Sequence, residues 1–398
     1  MSTHCSRGAR NRLTGASTAR RRVAIGAVLA GSLAILTAGA TSAPAVASSS
    51  SSSHDSYLSH FSAVTTVAST VPANRDVNPY GITVVPQSTG KLVRGDTLVS
   101  NFNAKSNLQG TGTTIMQISP SGAVRTFAKL GGPLPGACPG GVGLSTALTT
   151  LPGGWVVVGS LPTTDGTSAT AKAGCLIVLN SNGQPVETWS GDGINGPWDM
   201  TAVSNAFGAE LFVSNVLNGT VANSPATVLR GTVLRLIVRL SGGDAPQLVA
   251  STVIGAGFAE RTDPAALVVG PTGLALGNEG QLYVADTVNS RVAVIPLAVV
   301  RLGPGRQGGI TVSSGGALNG PLGMTLAPNG DVLTVNAGDG NIVETTPAGN
   351  QISTVQIDPA GLGGDLFGLT IAPDAQGVLF VDDGDNTLKL FGPGPTGP

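Results

Sequence analysis

The chain has 398 residues, with 21 Lys and Arg against 22 Asp and Glu and only 11% of positions charged. A balance this close to neutral provides no electrostatic footprint for nucleic acid or anionic lipid, so neither is an expected partner. About 340 residues follow the leader described next, too many for one ordinary core but natural for an array of repeats.

Residues 1–47 read as a signal peptide. Arg7, Arg10, Arg12 and Arg20-Arg21-Arg22 form a basic start, an apolar run extends from Val23 to Ala40, and Ala45-Val46-Ala47 offers a small-residue cleavage site. Arg20-Arg21-Arg22-Val23-Ala24-Ile25 resembles a twin-arginine export signal without its usual Phe-Leu pair. A membrane anchor is the alternative, disfavoured because the run is rich in Gly and Ala and ends in a cleavage signal. Losing the leader's six arginines leaves 15 basic against 22 acidic side chains. The expected product is a mildly acidic domain, secreted or held in the cell envelope, with no membrane insertion of its own.

Residues 48–59, opening with Ser48 to Ser53, form a flexible tether by composition. Phe61 to Thr70 then reads as a strand. From there one phrase recurs: Pro79-Tyr80-Gly81-Ile82-Thr83-Val84, Pro197-Trp198-Asp199-Met200-Thr201-Ala202, Pro271-Thr272-Gly273-Leu274-Ala275-Leu276 and Pro321-Leu322-Gly323-Met324-Thr325-Leu326. Leu366-Phe367-Gly368-Leu369-Thr370-Ile371 lacks the proline, and Gly143-Leu144-Ser145-Thr146-Ala147-Leu148 is degenerate. Equivalent glycines lie 50 residues apart from Gly273 to Gly323 and 45 apart from Gly323 to Gly368, the size of one propeller blade. Six copies predict an all-β, six-bladed β-propeller over residues 60–392, with 393–398 as a Gly/Pro tail.

The fifth repeat shows the pattern most clearly. Strands are expected at Leu322–Leu326, Asp331–Asn336, Asn341–Thr346 and Gln351–Ile357, joined by Asn-Gly and Gly-Asn turns that tolerate positive φ. The last repeat, Gly364 to Phe391, holds only three strands, and an open edge there would be a liability. Phe61–Thr70 is therefore expected to supply the outer strand of the sixth blade.

Cys5 leaves with the leader, so Cys138 and Cys175 remain as a pair. Cys138 precedes the second repeat and Cys175 begins that repeat's third strand. Both positions fall on one face of an up-and-down blade, so a disulfide is expected, with two free thiols as the alternative.

Gly280-Gln281-Leu282-Tyr283-Val284-Ala285-Asp286-Thr287-Val288-Asn289-Ser290-Arg291-Val292 resembles the signature of NHL repeats, a six-bladed propeller family. Gly377 to Leu388 is a looser copy. The resemblance implies the fold more than any activity, because the family spans catalytic and non-catalytic members.

Histidine chemistry is excluded from the blades: His4 lies in the leader, and His54 and His60 precede the first repeat. The chain thereby departs from the histidine-dependent lyases of similar architecture and from Ser-His-Asp and Cys-His systems. What remains is oxygen chemistry. Asn101, Ser160, Asn215 and Asp286 end the second strands, Asp383 matches them in the sixth blade, and Asn336 and Asp382 stand one slot earlier. Similarity to gluconolactonase-like propellers implies a candidate Ca²⁺ set of Asp199, Asn215, Asp286 and Asn336. The competing reading is that each of these side chains hydrogen-bonds its own turn.

A second constellation enters the innermost strands. Tyr80, Trp198 and Phe367, with Asp199 in a slot otherwise held by glycine, are expected around one mouth of the channel. They bind a ligand there, or else the aromatic rings plug the axis. The reading that follows is a monomeric, non-enzymatic module that binds a small molecule, glycan or protein. A calcium-dependent lactonase and a structural envelope protein are its rivals.

Overall fold

A computed structural model describes residues 55–205, 207–360 and 364–394; the expected leader and its cleavage site lie outside the described residues. Six antiparallel sheets form the propeller, five of four strands and one of five. Their innermost strands are Val77–Val84, Leu144–Leu151, Pro197–Asn205, Pro271–Leu276, Pro321–Leu326 and Leu366–Ile371, the recurring phrases. Second strands such as Leu282–Asp286 and Val332–Asn336 are buried at every position. A blade is sandwiched between two neighbours, so both faces of its middle strands must be apolar. In the fifth blade the strands fall at Pro321–Leu326, Val332–Asn336, Asn341–Thr345 and Gln351–Gln356, within a residue of the turn-based reading at each end.

The ring closes as the strand count requires. Ala63–Ser69 pairs antiparallel with Thr387–Gly392, with Ala63 opposite Gly392 and Ser69 opposite Thr387. The sixth sheet thus takes its three inner strands from the C-terminal repeat and its outer strand from the N-terminal segment. Attachment begins earlier than the expected boundary at residue 60. Glu344, fully buried in the fifth blade, accepts hydrogen bonds from the backbone N–H groups of Tyr57 and Leu58 at 2.8 and 3.0 Å and from the Ser56 hydroxyl at 2.6 Å. Tyr57 and Leu58 are buried against the fifth and sixth blades. Cys138 and Cys175 form the expected disulfide, with Cα atoms 5.2 Å apart.

The third blade departs from the plain repeat. Its outer strand, Gln247–Asp263, runs past its neighbour and folds back through Leu267–Val269. Asp263 Oδ1 caps the turn by accepting from the N–H groups of Ala265 and Ala266. The tip reaches the first blade, where the Gln109 amide donates to the carbonyls of Pro264 and Ala265 at 2.9 and 3.2 Å. Ala266 to Val269 therefore bury against Tyr80, Trp198 and Phe367 over one end of the axis.

Candidate functional site

At the end where the inner strands begin, the axis is filled. The rings of Tyr80 and Phe367 stack with centroids 3.7 Å apart, Phe102 stacks on the other side of Tyr80 at 4.4 Å, and Trp198 lies 6.3 Å from Phe367. All four side chains are fully buried, and Trp198 donates its indole N–H to the Val268 carbonyl of the covering hairpin at 3.2 Å. Burial and the nearby Asp383 carboxylate push the Tyr80 phenol well above its ordinary value. Tyr80, Trp198 and Phe367 thus come together as expected, but as a plug beneath the hairpin rather than as the rim of a mouth.

Asp199 stands on the other side of that plug. Glycine occupies its slot in four blades because the next inner strand passes too close for a side chain. A Cβ on Gly81, Gly273, Gly323 or Gly368 would lie 2.7 Å or less from the carbonyl oxygen of Thr146, Leu322, Phe367 or Tyr80, respectively. In the third blade the side chain exists and spans the seam instead: Asp199 Oδ2 accepts from the Leu274 N–H of the fourth blade at 2.8 Å. The Ser214 hydroxyl steadies the same seam by donating to the Thr272 carbonyl at 2.8 Å.

Below the plug the six inner strands enclose a cavity of 280 Å³, with Asp199 among its lining residues. No other charged residue lines it. Burial pushes the Asp199 carboxyl up to about 7, partly offset by the Leu274 and Met200 N–H groups. Two residues further along stand Thr83, Thr201, Ala275, Thr325 and Thr370, and in the second blade the strand register puts Thr149 at the equivalent place; all six line the same cavity. Threonine at five of six places makes a collar of hydroxyls. Thr146, almost completely buried, also lines the cavity, and its Oγ1 has no protein partner. Four of the five collar threonines, Thr83, Thr201, Thr325 and Thr370, are visible in the repeated phrase, but only the blade geometry sets them around one space.

The remaining oxygen candidates do not join Asp199. Asn215 Oδ1 accepts from the Asn195 N–H at 3.0 Å. Asp286 is occupied by Arg291, at 2.6 Å, and by the Asn289 amide. Asn336 accepts from the Asn319 N–H and donates to the Ala317 carbonyl. Each holds the turns of its own blade, so their oxygens are committed and this set does not fit a shared cation.

Carboxylates do gather in the sixth blade, where ligand oxygens of Asp358, Asp365 and Asp382 lie within 4.8 Å of one another. Burial, then the neighbouring Asp365, pushes Asp383 up to about 9. Burial and Asp358 raise Asp365 as well. The chain supplies a cation of its own here: Lys389 Nζ reaches Asp382 at 2.5 Å and Asp385 at 2.8 Å. With that ammonium in place the cluster is a poor match to the six to eight oxygens that calcium takes.

A model of the NHL repeat matches residues 269–295, the fourth blade's inner and middle strands. No curated protein matches the chain. Among solved structures, a luciferin-regenerating enzyme is 12% identical, with 82% of this chain and 94% of that chain covered at a TM-score of 0.50. A gluconolactonase from Xanthomonas campestris is 13% identical, with 83% and 88% covered at a TM-score of 0.50. A streptogramin B lyase is 16% identical, with 84% and 99% covered at a TM-score of 0.48. At these identities the likeness to the first two is one of fold, and the propeller architecture is what it supports.

Proposed function

We propose that this chain is an exported, monomeric, non-enzymatic propeller that binds a small molecule in its axial cavity. The observation that carries this reading is the cavity itself: 280 Å³, walled by all six inner strands. That volume falls just below the usual range of roughly 300–1,000 Å³ for ligand sites. It suits a small molecule better than a glycan chain or a protein surface. The disulfide accords with an oxidising destination, and among the described residues no helix is long and apolar enough to cross a membrane.

The lactonase alternative draws less support. The end of the axis where the inner strands begin is covered by the third-blade hairpin, the blades carry no histidine, and the expected oxygen set is spent on turns. The protein without its leader, tested against a small-molecule library by ligand-observed NMR and against simple lactones with and without Ca²⁺, separates the two. Saturable binding that is lost on filling the cavity with Ala275→Leu is expected. Calcium-dependent lactone hydrolysis, or binding that Ala275→Leu leaves untouched, would refute the proposal.

A further inference from the structure

Two observations constrain what the cavity holds. Its lining carries one charge, Asp199, contributed by one blade where four others have glycine. It also carries the collar of five threonines.

An anion would face an uncompensated carboxylate. A bare calcium ion would find one carboxylate and hydroxyls only, far from its preferred shell. A neutral polyol would satisfy the threonines but leave the Asp199 carboxylate, which is charged above about pH 7, without a counter-charge. An ammonium group meets every requirement. It offers three donors, for Asp199 Oδ1 and for hydroxyls of the collar, while its charge neutralises the site.

Building on the assignment of the axial cavity as the ligand site, we propose that its ligand is a small organic ammonium ion with a hydroxylated body. The charged end sits at Asp199, and the body lies within the threonine collar. Oδ2 of Asp199 remains with the Leu274 N–H, so the seam between the third and fourth blades stays closed while Oδ1 receives the ligand. No other ionisable side chain from any of the six inner strands lines the cavity, so the pH response of binding belongs to Asp199, whose carboxyl titrates at about 7.

The test uses 4-aminocyclohexanol, protonated throughout the working range, with 1,4-cyclohexanediol as its neutral counterpart. Binding to the leader-free protein is measured by NMR titration at about pH 8 and about pH 5.5. At the higher pH the amine should bind about tenfold or more tighter than the diol, the worth of one charge-assisted hydrogen bond. That preference should collapse at the lower pH, where Asp199 is protonated. Asp199→Asn should bind both probes alike at both pH values. If the diol binds wild type as tightly as the amine at about pH 8, the ammonium assignment is overturned while the cavity stands as a ligand site. If neither binds, both are overturned.

Discussion

Replacing Asp199 by Asn should stabilise the protein, and by an amount that grows with pH. The native carboxyl titrates at about 7 against an ordinary 3.8, because burial disfavours its charged form. Between those values the folded protein holds a proton that the unfolded chain has released. Wild-type stability therefore falls as pH rises from about 4 to about 7, and this contribution is flat beyond. About three units at 1.36 kcal/mol each set an upper bound of roughly 4 kcal/mol. Partial contact of the carboxylate with cavity water lowers the expectation to about 2–4 kcal/mol. Asparagine keeps an acceptor for the Leu274 N–H and removes the charge. Urea unfolding of wild type and variant, disulfide intact, at several pH values between about 4.5 and 8.5 gives the difference directly. Glu260, pushed by burial to about 7, and Asp383, at about 9, titrate in the same range but cancel in the comparison. Parallel curves would show that Asp199 titrates alike in the folded and unfolded chain, and a variant that loses ground as pH rises would show a charged carboxylate that stabilises the seam; either result would refute this account.

Other perturbations probe the closure and the plug. Deleting residues 55–70 should strip hydrogen-exchange protection from the Thr387–Gly392 strand, whose partner strand is Ala63–Ser69; retained protection there would contradict the closure. Reducing the Cys138–Cys175 bridge, which spans 37 residues, should lower stability by at most about 4 kcal/mol in denaturant titrations. Burial opposes the charge of Glu344, but the bonds from Ser56, Leu58 and Tyr57 outweigh it and hold the carboxyl below its ordinary 4.5. Its stabilisation is thus present above that value and lost as pH falls below it. Glu344→Gln should destabilise by about 1–3 kcal/mol at neutral pH and speed proteolysis ahead of Ala63. Trp198→Ala should cost about 3–5 kcal/mol in thermal or urea unfolding, as a large core truncation does; a near-neutral effect would deny the plug its structural role.

The architecture was legible because each blade repeats one phrase, and a repeat reports on topology wherever its glycines and turn pairs recur. Closure followed from counting strands, and the disulfide from placing two cysteines on the same face of one blade. The axis was harder. Tyr80, Trp198, Asp199 and Phe367 were grouped at one mouth, yet whether rings line an opening or fill it depends on what packs above them. That was decided by the overlong Gln247–Asp263 strand and its return through Leu267–Val269. No local pattern announces that a strand overshoots its sheet. Asn215, Asp286 and Asn336 illustrate a different limit: a short polar side chain at a strand end looks the same whether it awaits a ligand or holds a turn. The threonine collar stood in plain view at Thr83, Thr201, Thr325 and Thr370, but its meaning needed the radial arrangement that sets equivalent positions around one space. The Asp358–Asp365–Asp382 gathering joins a loop to a strand end, and no spacing rule connects them.

The way the ring is closed also decides how the molecule bears tension. Ala63 lies opposite Gly392, and the Ser62 N–H bonds the Gly392 carbonyl at 3.0 Å. A pull applied between the two ends of the chain would load the closing pair from its open end, one rung at a time, as a zipper is drawn rather than as two strips are slid apart. Before the first rung fails, the load on the N-terminal side must pass through Ser56, Tyr57 and Leu58, clasped by Glu344. Resistance to force is thereby moved from the seam to a single buried carboxylate in the neighbouring blade. A protein held at one end against flow or a moving partner would yield there first, and the remaining five blades would feel the strain only after the clasp had opened.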